Sequence, residues 1–376
     1  MNGKERVHAA LAGKATDRNA VTSLYNFLYY RDHFAELSGE PQWRMWPWLY
    51  SEPETYLRTF RALVEQAPFE TLQPEPAPPR QVREAVSFTV HDGVLLRHDA
   101  RDGSTVRMHA PVSGHAFDDT PNETRYVYDK ADIDERVVAT PAEVCLARGD
   151  NDYLDAVIAA MGKDHFIISG GVIGTLYGCS WHVGLTNLFT LLVDQPGLID
   201  YLCQRQLEQA IEAIRTLAAA GGDAIYIDDA TATSDMISVR HYERFSLPYV
   251  QEMVREIHRL GHKAILIYFG GVADRLDQIA SIGADGLQME ATMKNYINDV
   301  GESAERIGKH VTLFGNLDPI ATLQNASDAA LEAEMQRQAE AGRCARGFIM
   351  STGSPITPLT PLSRVRRFLE LGRALR

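Results

Sequence analysis

Two adjacent carboxylates, Asp228 and Asp229, close an apolar run in AIYIDDATATSD, residues 224–235, and a polar, helix-starting loop follows. A lone Asp in such a place ordinarily caps the next helix by accepting one of its backbone N–H groups. At the mouth of a barrel the same carboxylate can move a proton or hold a cation. Side chains alternate along a strand, so only one of the two acids can face the axis, which leaves the cap to the other. A second acid, Glu290, ends GLQME in the same manner. Carboxylates converging from different strands raise one another's pKa or share a cation, and either outcome is useful in a site. His182 in LYGCSWHVG reads as a loop histidine between glycines, either an acid–base group or a satisfied structural residue. Tyr25, Asn26, Tyr268, Asn316 and Ser351 stand at further run ends and are candidates for binding substrate, and Glu70, the Gly170/Gly171 pair and Thr352 share that placement. The aromatic cluster WRMWPWLY, with Trp43, Trp46, Trp48 and Tyr50, fits a flat apolar ligand as well as it fits a core.

The elements that must position these groups follow a repeating rhythm. Six short apolar runs, beginning at Phe166, Ala224, Ala264, Gly286, His310 and Gly347, alternate with longer amphipathic segments such as LIDYLCQRQLEQAIEAIRTLAAA and HYERFSLPYVQEMVREIHRLG. This is how parallel strands and crossover helices read. NAVTSLYNF and PFETLQ supply two more strands. The expected fold class is therefore α/β, a (β/α)8 TIM-type barrel with its chemistry on the C-terminal face. One stretch breaks the rhythm: AVSFTVHDGVLLRHDARDGSTVRM alternates apolar and polar residues around HDG and RDG turns, the pattern of antiparallel hairpins. It predicts an inserted antiparallel β-hairpin region near residues 85–112. The expected organisation is one barrel domain over 1–376 with an inserted segment at 81–125, entered through the stiff connector QPEPAPPR.

With 37 basic against 50 acidic residues, net −13, the chain lacks the clustered cations that neutralise phosphates, so no nucleic-acid partner is expected. Four scattered cysteines with no CxxC spacing fit a reducing compartment. The amphipathic N-terminus lacks the apolar core of a signal peptide, and no stretch is long enough to span a membrane. The expectation is a cytoplasmic protein. No GxGxxG, Walker A, GxSxG or HExxH pattern occurs.

GNLDP at 315–319, with GGDAIYIDDA, YERFSLPYVQEMV, GADGLQME, the terminal GFIMSTGSPITPLTPLSRVRRFLELG and the opening KERVHAALAGKATDRNAV, resembles the uroporphyrinogen decarboxylase superfamily. That resemblance covers residue 165 to the end well and 20–160 thinly. It implies a distorted barrel and one of two activities, decarboxylation of a porphyrinogen or methyl transfer to and from corrinoid proteins. The Arg-rich N-terminal segment and the Asp after the second strand that mark true decarboxylases are replaced by TSLYNFLYYRDHF and FETLQPEPAPP. No Arg or Lys stands among the run ends to receive a ligand with many carboxylates, whose desolvation demands basic partners. The zinc ligands of the thiol-methylating branch fall on Ile267, Phe269 and Ser354, so that site is absent and the metal content is left open. Asp229 matches the superfamily's inward acid, which makes Asp228 the cap. The resemblance thus implies a corrinoid-dependent methyltransferase component. It would pass a methyl group from a small methylated substrate, such as an aryl methyl ether, to cobalamin on a partner corrinoid-binding protein. Asp229, Glu290 and His182 would be catalytic, and a homodimer is left open. The alternatives are a decarboxylase, of uroporphyrinogen or of a smaller acid, and a non-catalytic ligand-binding barrel.

Overall fold

The computed structural model describes residues 1–109, 129–293 and 295–375. In chain order its strands are β1 (Ala20–Val21), β2 (Thr71–Leu72), β3 (Val86–His91), β4 (Val94–Asp99), β5 (Ser104–Met108), β6 (Phe166–Ile173), β7 (Ala224–Asp228), β8 (Lys263–Tyr268), β9 (Gly286–Met289), β10 (Thr312–Phe314) and β11 (Phe348–Met350). Eight of them form one parallel sheet in the order β1-β11-β10-β9-β8-β7-β6-β2. Its two ends meet: Glu70 N donates to Val21 O at 3.0 Å, and Thr22 and Thr71 share a hydroxyl hydrogen bond. The expected TIM-type barrel is therefore what the chain forms, with helices around it.

Alternation along the strands sorts two apolar layers. Ala224 and Tyr226 of β7, Ile265 and Ile267 of β8, Phe314 and Ile349 fill the barrel interior. Ile225, Ile227, Leu266 and Tyr268 face the helices in the larger outer cluster. The helix Gly3–Leu11 opens with a capping box between Asn2 and Glu5 and packs Val7, Ala10 and Leu11 into the interior cluster.

The predicted hairpins are a separate antiparallel sheet, β3-β4-β5, turning at Asp92 (φ 49°) and Gly93 (φ 76°). Positive φ at both centres is what a two-residue hairpin turn requires. Residues 110–125 of the expected insertion lie outside the described residues. The tryptophan cluster turns out to be core: Trp48 stacks on Tyr56 at 5.0 Å, Tyr56 stacks on Tyr153 at 3.9 Å, and Trp46 donates its indole N–H to His109 O. The last contact and the Tyr50–Phe88 edge contact dock the small sheet onto the barrel's flank.

Two local departures matter for the site. The helix expected over HYERFSLPYVQEMVREIHRLG breaks at Ser246 into Val239–Phe245 and Leu247–Arg259. Pro248 has no N–H to donate and crowds the preceding turn, so the helix restarts there. The register of β6 against β7 slips between Ile168 and Gly171, a bulge with Gly170 at φ 150°, a backbone conformation open to glycine and strained for other residues.

Candidate functional site

At the C-terminal ends of the strands two cavities adjoin, sharing Tyr25 and Asp228 in their walls. The larger, about 470 Å³, is bounded by Asp228, Phe269, Glu290, Met293 and Ser354 among others. The smaller, about 270 Å³, lies toward β2 and β6.

Asp228, not Asp229, faces these cavities. It continues the inward series Ala224, Tyr226 and is in register with the inward Ile267 of β8. Its Oδ2 accepts the Tyr25 hydroxyl at 2.7 Å, and burial pushes its carboxyl up to about 6 against the opposing pull of the Tyr25 hydrogen bond. Tyr25 holds that geometry from a left-handed backbone, φ 47°, in the turn that leads into the helix Asn26–Asp32, a conformation uncommon for an aromatic residue. Asp229 is buried behind the strand, where it accepts the Ser246 hydroxyl across the helix break. Burial, with the nearby Asp228 charge adding to it, pushes the Asp229 carboxyl up to about 7 against the Ser246 hydrogen bond. The sequence-based assignment of the pair is thus reversed, because the residue after β7 keeps the strand's alternation and turns toward the helices.

Glu290 reaches the larger cavity as expected. Its carboxylate accepts the Tyr296 hydroxyl, and the Ser354 hydroxyl donates to it at 3.4 Å. The loop that carries it is latched by Asn298, whose amide donates to Gly270 O and Glu290 O. Asn316 donates in turn to Asn298 O at 2.7 Å, so it supports the loop from outside the cavity lining. Asn26 is likewise structural, bridging Thr71 O and Gln73 N. Ser351 is fully buried, lines neither cavity and accepts from the Gln288 amide at 2.8 Å. Tyr268 points into the helix layer, hydroxyl to hydroxyl with Tyr242 at 2.8 Å. His182 lies in the helix Thr175–Val183 rather than a loop and lines neither cavity; burial lowers its pKa, which favours the neutral ring. Glu70 belongs to the opposite end of the barrel, paired with Arg6 and Arg18.

Ile267 faces the barrel interior and Phe269 lines the larger cavity, and neither side chain offers a donor atom; Ser354 engages Glu290. The side chains at these three positions do not fit a thiol-activating zinc. Among the described residues no three His, Cys, Asp or Glu side chains converge as a metal cluster.

Several site residues escaped the sequence reading: Ser246, Tyr296, Asn298 and a fully buried Arg275. That guanidinium donates to Ala232 O at 3.0 Å and Ile237 O at 2.7 Å in the loop after β7, pairs with Asp274, and lies over the Tyr242 ring. The only signal for Ser246 was its place before Leu-Pro, where a helix is apt to break. On the face where the strands end, the segments after β6, β7, β9, β10 and β11 expose Trp181 in the helix Thr175–Val183, Met236, Met293, Ile297, Ile320 and Leu359, of which Met293 and Ile320 line the larger cavity.

Among known proteins, the chain is 27% identical over 192 residues to "Uroporphyrinogen decarboxylase 2, chloroplastic" of Arabidopsis thaliana, 51% of this chain and 46% of that protein. It is 30% identical over 185 residues to "Uroporphyrinogen decarboxylase" of Pseudomonas fluorescens, covering 48% and 49%. It is also 25% identical over 219 residues to "Methylcobamide:CoM methyltransferase MtbA" of Methanosarcina mazei, covering 57% and 60%. The chain thus spans about half the length of the decarboxylases it matches. A solved "methyltransferase from Methanosarcina mazei" shares the fold along 100% of this chain and 98% of its own, with TM-score 0.70 at 21% identity. A family model described as uroporphyrinogen decarboxylase matches residues 118–375. With that match extending over the whole run from β6 to the last helix, the chain belongs to the uroporphyrinogen decarboxylase family.

Proposed function

We propose that the chain is a methyltransferase component that moves a methyl group from a small methylated compound, such as an aryl methyl ether, to cobalamin carried by a partner protein. The observation that carries this reading is the larger cavity itself. It presents Asp228 and Glu290, apolar walls, and no Arg or Lys among its described lining residues. A porphyrinogen with many carboxylates would lose its hydration there without basic partners to replace it. A small ether or alcohol needs something else, a proton for its leaving oxygen, because an alkoxide or phenoxide leaves poorly. Asp228, held up near 6 by burial, still carries protons close to neutral pH, and the Tyr25 hydroxyl stabilises the carboxylate it leaves behind. Phe269 and Met293 give the methyl-bearing end an apolar wall. The corrin's cobalt would supply the methyl-accepting nucleophile. The exposed apolar side chains on the face where the strands end suit a macromolecular partner covering it.

A second reading, decarboxylation of an acid smaller than uroporphyrinogen, is favoured by the decarboxylases among the relatives. The test is to incubate the protein with cob(I)alamin and methoxylated aromatics, methylamines or methanol, and to follow methylcobalamin by its absorbance. Methylation of cobalamin is expected. Turnover of a carboxylic acid with carbon dioxide release, and no cobalamin methylation by any donor, would favour decarboxylation. Tight binding without turnover of either kind would mean a non-catalytic barrel.

A further inference from the structure

Two thiols that take no part in the site meet in the helix layer. Cys179, in the helix Thr175–Val183, and Cys203, in the helix Pro196–Ala219, are both free and fully buried, with their sulfurs 3.5 Å apart. They are 24 positions apart in the chain, and it is the contact between the two helices that joins them. Gly178, the neighbour of Cys179, faces Gln206, where a Cβ would come 2.7 Å from Gln206 Oε1. The glycine thus lets the two backbones approach closely. A disulfide holds its sulfurs at about 2.05 Å, so these two have about 1.5 Å left to close, which side-chain rotation and a small shift of the shorter helix can share.

The pair shares its surroundings with the acid behind β7. The Cys203 thiol donates to Phe245 O at 3.6 Å, and the Thr175 hydroxyl donates to the same carbonyl at 3.4 Å. Phe245 directly precedes Ser246, whose hydroxyl donates to Asp229. The helix that carries Cys179 also places Tyr177 in the wall of the larger cavity. It runs for nine residues between two glycines, Gly174 and Gly184, the second at φ 77°. Burial, with Cys203 beside it, pushes the Cys179 thiol well above its usual range. The thiolate is the reactive form, so the pair is inert while this helix is seated. A short helix bounded by glycines is a unit that opens locally, and its opening admits a small oxidant.

We propose that Cys179 and Cys203 form a thiol-oxidation site, at which a peroxide converts the pair to a disulfide that ties the helix Thr175–Val183 to the helix Pro196–Ala219. One sulfur loses its proton to water and attacks a peroxide oxygen, which breaks the oxygen–oxygen bond. That sulfur becomes a sulfenic acid, and the departing hydroxide takes up the proton and leaves as water. The second sulfur then displaces the hydroxyl from the first, forming the S–S bond, and its own proton leaves with that hydroxyl as a second water. Two electrons pass from the sulfurs to the peroxide, and a dithiol reductant reverses the change by exchange. The product lacks the S–H that reached Phe245 O and fixes the helix that carries Tyr177. The site does not depend on the methyl-transfer reading, because it concerns the thiols alone.

The test is to hold the folded full-length protein in millimolar hydrogen peroxide for hours, alkylate the remaining thiols in denaturant and map the peptides by mass. A Cys179–Cys203 cross-linked peptide should accumulate, and dithiothreitol should remove it. The amides of Thr175–Val183 should exchange with deuterium about tenfold more slowly in the oxidised protein than in the reduced one. In Cys203→Ser, peroxide should produce neither the cross-link nor the slower exchange. If Cys203→Ser does not fold, Cys179→Ala stands in with the same expectation. Oxidation confined to Cys145 and Cys344, the two cysteines that are not buried, overturns the proposal. So does conversion of Cys179 and Cys203 to sulfonic acids without a cross-link, or a cross-link that leaves exchange in the helix unchanged. No corrinoid enters these measurements, so a failed methylation assay leaves their outcome readable.

Discussion

At the scale of single residues, the Asp228–Asp229 pair divides two tasks. Asp228 is on the cavity with a hydroxyl donor on one oxygen, and Asp229 is sealed behind the strand with Ser246. Asp228→Asn should lower methyl transfer to cob(I)alamin by about 100-fold or more, the scale of a lost general acid, while Asp229→Asn keeps most of the rate; parallel rate measurements on the two variants check this, and the reverse ranking would restore the inward role of Asp229. The stability of the second acid has a pH signature. Its folded pKa is raised from 3.8 to about 7, so between those values the unfolded chain sheds a proton that the folded chain keeps. Stability therefore falls as pH rises through that window and levels off above it. The wild type should lose melting temperature relative to Asp229→Asn between pH 5 and pH 8, by on the order of 2 °C or more. A flat difference across that range would mean the carboxyl titrates normally.

At the scale of elements, the loop after β6 must pass close to Asp229. A Cβ on Gly174 would sit 2.3 Å from Asp229 Oδ1, so Gly174→Ala forces the strand end apart and should cost about 1–3 kcal/mol in a denaturant titration. A cost below the error of that titration would show that the two strand ends have slack. The strands themselves were readable in the sequence because buried parallel strands are continuous apolar runs bounded by turn residues, and the hairpins because HDG and RDG sit at their turns. What was not readable is which face each strand-end residue takes. Both faces of a barrel strand are apolar, so Ile225, Tyr226 and Ile227 give no amphipathic signal to fix the phase that decides between Asp228 and Asp229. The same ambiguity misplaced Tyr268, one residue out of phase with the inward Ile267. His182 was misplaced for another reason: LYGCSWHVG carries a glycine within its helix, Gly178, packed close to the Gln206 side chain, and that glycine reads as a loop signal. Glu290, the residue directly after β9, lines the larger cavity.

At the scale of the molecule, no described helix is long and apolar enough to cross a membrane, and the exposed apolar side chains after the strand ends are the surface proposed above for a partner protein. If a corrinoid protein covers them, Trp181→Glu, Ile297→Glu and Leu359→Glu should each raise the KM for protein-bound corrinoid by about tenfold, and their rates with free cob(I)alamin should stay near wild type. Equal losses with both acceptors would point to damage inside the barrel instead.

Arg275 bears on how anything enters. By holding Ala232 O and Ile237 O from beneath, this always-charged group ties the loop after β7 to the barrel wall. The loop's own amides are engaged as well, Ser234 N on Gly271 O and Ile237 N on Thr233 O. Such a loop is a doorpost and not a door: its amides at Ser234 and Ile237 should exchange with deuterium as slowly as the strands do. The proline-punctuated stretch Ser354–Pro358 on the cavity wall is held by other means, the Thr357 hydroxyl on Gln324 Oε1 at 2.5 Å and the Ser354 hydroxyl on Glu290 at 3.4 Å, so its grip on the cavity rests on neutral hydroxyls where the loop after β7 rests on a guanidinium.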